Sequence, residues 1–310
     1  MDTPDVQIAL QPRALNGEGP QWDDRRGRLF WVDMRRPSLN VLEPGTGRND
    51  WWEMPDWIGC FGLVEDGRVA VALRTGLQLF DPADGSLTML APAPYDSRRF
   101  CFNDGGCDRD GRFMAGPMLA PLEQSVPATQ PTDSDRLPVW RYDGAHGWAT
   151  LSAPVKIANG LAFSPDGRTL YHSDTPRKTI WACDYDTDRG VIENARVFAT
   201  VEEGGDDGGP DGAVVDRDGF YTCAVFGGGC LLRFDPDGRL ERRIALPAHY
   251  PTMPALGGED RTTLYVTSAS YMLSDDEQRE QPAAGALFSL EAPAPGLPTS
   301  YMSVPKELTS

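Results

Sequence analysis

No stretch of this chain approaches the roughly 18 consecutive apolar residues of a membrane-spanning helix, so a membrane is not an expected partner. Positive charge is in short supply. Lys and Arg number 29 against 46 Asp and Glu, a formal net charge of -17. Such a surface repels a phosphate backbone, which excludes nucleic acid. The six cysteines (Cys60, Cys101, Cys107, Cys183, Cys223 and Cys230) form no CxxC pair and are too sparse for a disulfide scaffold. Reduced thiols are expected. The segment Met1 to Asp5 holds two acids and no basic start, so a secretory leader is not expected and a cytoplasmic location is. Histidine is limited to His146, His172 and His249. No long segment shows a helical period.

What the chain does have is a repeat. A polar or small residue, a short apolar stretch, a turn with Asp and Gly and a second apolar strand recur along the sequence. The copies begin at Glu18, Cys60, Asn103, Asn159, Asp211 and, more weakly, Met253. The D-x-D-G and P-D-G turns suit tight hairpins, because Asp and Gly tolerate the backbone angles these need. Second hairpins follow at Leu77 to Gly85 and Leu231 to Gly238. Each unit thus supplies about four short strands over roughly 40 to 57 residues, as a propeller blade does. Six units predict an all-β, six-bladed β-propeller, with residues 1–310 as a single domain. The stretches Pro117 to Pro138 and Glu202 to Pro210 break the rhythm and read as surface loops.

In a propeller the first strand of each blade lines the central channel. Aligned on their turns, the repeats place Glu18, Cys60, Asn103, Asn159, Asp211 and Met253 at equivalent positions around one axis. The oxygen-bearing members converge at one end. Two carboxylates with amide oxygens suit a divalent cation such as Ca²⁺, Mg²⁺, Mn²⁺ or Zn²⁺. The same residues could instead hydrogen-bond neighbouring strands.

The chain resembles the regucalcin, gluconolactonase and luciferin-regenerating-enzyme family over nearly its whole length. The resemblance is carried by Gly17-Glu18-Gly19-Pro20 with Trp22, Phe102-Asn103-Asp104-Gly105 with Ala115-Gly116, Ile157-Ala158-Asn159-Gly160-Leu161, and Pro210-Asp211-Gly212. It implies a six-bladed propeller, hydrolysis of a sugar (aldono)lactone, and one divalent metal (calcium, zinc, magnesium, manganese or iron). Glu18, Asn159 and Asp211 match the family's metal ligands, and Asn103 matches an Asn at the substrate or a metal-bound water. Where many members carry a substrate-holding Arg, this chain has Cys101. Arg99, on the same face of a strand, is the candidate to replace it, and Cys101 is expected to line the pocket. Glu123 is the candidate for an acidic substrate contact.

The expected chemistry is ester hydrolysis. Asp211 doubles as the acceptor of the water's proton, and the Asn103 amide orients the ester and donates to the developing oxyanion. His172 and His249 are further candidates for proton transfer, and His146 a weaker one. The expected partner is a small lactone, with the chain a monomer or small homo-oligomer. Two alternatives share the fold: a phosphoesterase, against which the acidic chain argues, and a non-catalytic calcium-binding or sugar-sensing propeller.

Overall fold

Asp108, Asp216 and Asp235 each open a turn by accepting two backbone N–H groups with one carboxylate oxygen. Asp108 Oδ1 takes those of Asp110 and Arg112 at 3.0 and 2.8 Å, and Asp216 and Asp235 repeat the pattern two and four residues ahead. The Asp side chain thus satisfies backbone donors that the tight turn leaves over. Repeated around the chain, these hairpins build six four-stranded antiparallel sheets.

The computed structural model describes residues 5–120, 135–144, 146–201, 208–305 and 308. The six sheets form a six-bladed β-propeller, with one short helix, Asp275–Glu280, among the described residues. The inner strands are Gly17–Asp23, Ile58–Leu63, Phe100–Cys107, Ala158–Phe163, Gly209–Val215 and Pro251–Gly257, in blades I to VI. Each contacts the inner strand of the next blade, and the sixth contacts the first. Blade VI is completed by the N-terminal strand Gln7–Leu10, which pairs with Leu287–Glu291 and closes the ring. No helix among the described residues is long and apolar enough to cross a membrane.

Neighbouring blades cover both faces of every sheet. Val69–Leu73 is accordingly buried at all five residues, whereas the outermost strand Arg48–Glu53 is mostly exposed. Phe30, Phe61 and Val71 pack in one cluster, and Tyr171, Ala213 and Tyr221 in another. Burying each large side chain stabilises the ring by about 1.5–3 kcal/mol before chain entropy is counted.

Every inner strand has a break in register near its repeat position: Glu18/Gln21, Ile58/Cys60, Phe102/Gly105, Asn159/Ala162, Pro210/Ala213 and Pro251/Pro254. Such irregularities re-aim side chains, and they are common beside active sites. The opposite end of the ring, where the inner strands finish, is covered by the C-terminal stretch. Its backbone bonds Arg217, Gly296 bonds Arg261, Met302 bonds Leu63 and Ser303 bonds Gly111.

Candidate metal and substrate site

Glu18, Asn103, Asn159 and Asp211 line one cavity of about 110 Å³ at the channel mouth. They come from the first halves of the inner strands of blades I, III, IV and V. All four are under a tenth exposed. A larger cavity, about 200 Å³, lies at the tail-covered end, but no carboxylate or histidine lines it. Met253, the sixth-blade member of the ring, lines that other cavity, and Cys60 lines neither.

A short relay sets the two amides. Asn159 Nδ2 donates to Thr175 Oγ1 at 2.8 Å, and the Thr175 hydroxyl donates to the Pro210 carbonyl at 2.8 Å. Asn103 Nδ2 donates to Asn159 Oδ1 at 2.9 Å and to the Ala158 carbonyl at 3.0 Å. Both Asn103 amide hydrogens are therefore used. The expected donation to an oxyanion is not available, and Asn103 offers Oδ1 as an acceptor instead.

The carboxylates are under electrostatic stress. Burial pushes Glu18 well above the ordinary carboxylate range, and the charges of Asp211 and Asp104 push it further. Asp211 is raised likewise, by burial first and then by Asp104. Asp104, missed by the repeat alignment, is buried behind them. Burial lifts it to about 6 although the N–H groups of Leu161 and Gly105, at 2.8 and 2.7 Å, favour its charged form. Neither Glu18 nor Asp211 joins an ion pair among the described residues. No three His, Cys, Asp or Glu side chains gather as a metal-ligand group among the described residues. The other oxygen-bearing side chains that line the cavity are neutral: Asn16, Asn103, Asn159, Thr175 and Tyr271.

Several expectations need correction. Cys101 has no exposure and belongs to the core cluster of Phe30, Met54 and Ile58. Its cross-strand partner Met118 lines the cavity instead. Arg99 is taken by Asp135 at 2.6 Å and does not line the cavity. Glu123 lies outside the described residues. No histidine lines the cavity: His172 is buried against Trp181, His146 bonds Asp143 at the surface and His249 is exposed beside Tyr250. The remaining walls include Trp57, whose indole N–H donates to the Phe102 carbonyl at 3.0 Å, and Arg35 with Tyr271. No sequence signal separated Arg35 from its neighbour Arg36.

Six blades, four of which present a carboxylate or an amide at one channel mouth, define a propeller with a small oxygen-donor site. A profile of the SMP-30/Gluconolactonase/LRE-like region matches residues 16–270, and the chain belongs to that family. It is 39% identical over 292 residues to a 6-deoxy-6-sulfogluconolactonase of Pseudomonas putida, covering 93% of this chain and 95% of that protein. It is 36% identical over 297 residues to an L-arabinolactonase of Azospirillum brasilense, covering 94% of each. The solved structure of regucalcin, a calcium-binding protein from Agrobacterium tumefaciens, matches with a TM-score of 0.87 at 28% identity, over 97% of this chain and 100% of that one.

Proposed function

We propose that this chain hydrolyses a sugar lactone, most specifically an aldonolactone, with one divalent metal held by Glu18, Asn159 and Asp211. The observation that carries the reading is the pair Glu18 and Asp211. Two buried carboxylates share one small cavity with no ion-pair partner among the described residues. Left so, they favour protonation; a cation of charge two removes the conflict. Oxygen donors alone suit calcium, magnesium or manganese, and zinc and iron also accept them. The related lactonases support the substrate class.

A divalent ion supplies Lewis acidity, polarising an ester carbonyl and making water more acidic. The chain's own residues do the rest. The Asp211 carboxylate takes the proton of the attacking water. Asn103 Oδ1 accepts from a substrate hydroxyl or from that water, and the Thr175 relay keeps Asn159 Oδ1 turned to the cavity. Trp57, Met118 and Phe226 give apolar walls that limit bulk water. Water adds to the carbonyl carbon, the ring C–O bond breaks, and the ring oxygen leaves with a proton to give the open hydroxy acid.

The regucalcin likeness favours a second reading, a calcium-binding propeller without turnover. A lactone panel in a pH-indicator assay, with and without chelator, separates the two. The proposal expects hydrolysis that chelator stops and added metal restores. Metal binding with no turnover of any aldonolactone would leave the second reading standing.

A further inference from the structure

The carboxylates and amide oxygens of the cavity accept hydrogen bonds, and several of its donors are already spent. Trp57 and Thr175 give their one side-chain hydrogen to the Phe102 and Pro210 carbonyls, and Asn103 gives both of its own within the protein. Asn16 gives one to Met34, and Asn159 one to Thr175. Tyr271 differs. Its hydroxyl hydrogen has no acceptor among the described residues. The Tyr95 hydroxyl is sealed in the interior without a partner, whereas that of Tyr271, on the cavity wall, keeps access to open space.

The fold holds this ring in place. The N–H groups of Ser270 and Tyr271 both donate to the Leu15 carbonyl, at 3.0 and 3.1 Å, and the Ser270 hydroxyl donates to the Ala14 carbonyl at 2.8 Å. Phe226 packs beside the ring with centroids 6.3 Å apart, and the Arg35 guanidinium lies 3.9 Å from the ring centre. Arginine carries only donors, so it leaves the phenolic hydrogen free. Burial raises the phenol above its ordinary value, Arg35 opposes this, and the charges of Asp211 and Glu18 add to it. The hydroxyl therefore stays protonated, within electrostatic reach of both carboxylates.

We infer that the Tyr271 hydroxyl is the hydrogen-bond donor to the lactone carbonyl oxygen, the place that Asn103 cannot fill. The assignment rests on the lactonase reading of the same cavity. As water adds to the carbonyl carbon, an electron pair moves onto this oxygen, and a donor already fixed beside it stabilises the charge. No proton leaves Tyr271. The proton that Asp211 takes from water passes to the ring oxygen as the ring C–O bond breaks, and the pair on the oxyanion re-forms the carbonyl.

The test uses metal-loaded parent and Tyr271→Phe, which keeps the ring and its stacking and removes only the hydroxyl. The variant should melt with the parent and bind metal as tightly. Its kcat for glucono-1,5-lactone should fall about 100- to 1,000-fold with KM little changed, the loss seen when one fixed oxyanion donor is removed. Calorimetry adds a readout free of turnover. Gluconolactam, which keeps the carbonyl, should bind the variant about two- to tenfold more weakly, whereas the corresponding cyclic ether, which lacks it, should bind both proteins alike. Unchanged kcat and lactam affinity would overturn the assignment. So would lactam and ether losing affinity together, or metal affinity falling in step with kcat, since each marks a structural role. A variant that does not fold overturns it too, because the hydroxyl would then have a partner inside the protein. Turnover without Tyr271 dependence would sink the donor and keep the lactonase reading. A Tyr271-dependent preference for lactam over ether, without turnover of any lactone, would do the reverse.

Discussion

Asn103 Nδ2 donates to Asn159 Oδ1 at 2.9 Å across the boundary between blades III and IV. The other Asn103 amide hydrogen goes to the Ala158 carbonyl, so this side chain grips both Asn159 and the strand that carries it. On the proposed ligand set, it would act on a bound metal through its neighbour. Partners of this kind typically contribute ten- to a hundredfold in metal affinity or activity. Asn103→Ala should therefore weaken divalent-metal binding and kcat/KM by roughly 10–100-fold with little loss of fold. Calorimetric titration beside kinetics checks this; unchanged metal affinity would reduce Asn103 to a substrate contact.

Asp211→Asn should lose lactone hydrolysis and yet melt higher than the parent in chelator, by on the order of a few degrees. It removes one of two buried carboxylates whose charges oppose each other. The pH dependence follows the same physics. Folding raises Glu18 and Asp211 above their ordinary values of 4.5 and 3.8, so the folded metal-free chain holds more protons than the unfolded one. Their contribution is fully present below those values and is lost as pH rises through the raised ones. Metal should abolish this trend. Melting curves in chelator and in excess metal, across pH, decide the matter.

His172 predicts the opposite slope. Burial lowers it from 6.5 to about 4, against an opposing push from Asp174. Below pH 6.5 the unfolded chain takes a proton that the folded chain refuses. Stability tied to His172 is therefore intact above 6.5 and lost as pH falls toward about 4, by about 3 kcal/mol in all. His172→Phe keeps a ring against Trp181 without the titration. The difference between parent and variant stability should change with pH across that window alone. A constant offset would show that the imidazole is charged or solvated in the fold.

Gly160 ties strand geometry to the site. Its φ is +62°, and a Cβ there would lie 2.2 Å from the Tyr221 hydroxyl, which donates to the Gly160 carbonyl at 2.9 Å. Gly160→Ala should cost about 3 kcal/mol or more and, by moving the adjacent Asn159, weaken metal binding tenfold or more. Gly106 is the control, since a Cβ there meets nothing within 4 Å. Equal melting temperatures for the Gly160→Ala and Gly106→Ala variants would contradict this packing argument.

The repeat made the ring legible because its turns are local: Asp108 and Asp216 bond residues two and four ahead, and such signals survive in a single sequence. From the ring came Glu18, Asn103, Asn159 and Asp211, which the fold does bring to one cavity. The closing strand Gln7–Leu10 has no such signature, because its partner Leu287–Glu291 is at the far end of the chain. Tyr271 was invisible for the same reason; it meets Leu15 only once the ring closes. The family resemblance, which puts a substrate-holding Arg at this position, misplaced Cys101. The register break between Phe102 and Gly105 decouples the aim of Asn103 from that of its neighbours, so a shared face in sequence is not a shared face in space.

The pocket-lining place expected of Cys101 is taken by Met118. They are cross-strand partners, but Cys101 has no exposure within the core while Met118 forms part of the cavity wall. Burial also pushes the Cys101 thiol far above its ordinary value, which leaves it neutral and a weak partner for any sugar oxygen. Cys101→Ala should lower stability by about 1 kcal/mol through the small void it leaves, with KM for lactones within about threefold of the parent. Met118→Ala enlarges the cavity itself. It should shift KM and the ranking of lactones by ring size, because a methionine side chain fills space adaptably and its loss admits bulkier substrates. A lactone panel run on both variants distinguishes the assignments. If Cys101→Ala reorders the panel and Met118→Ala does not, the thiol faces the substrate and the core placement is wrong.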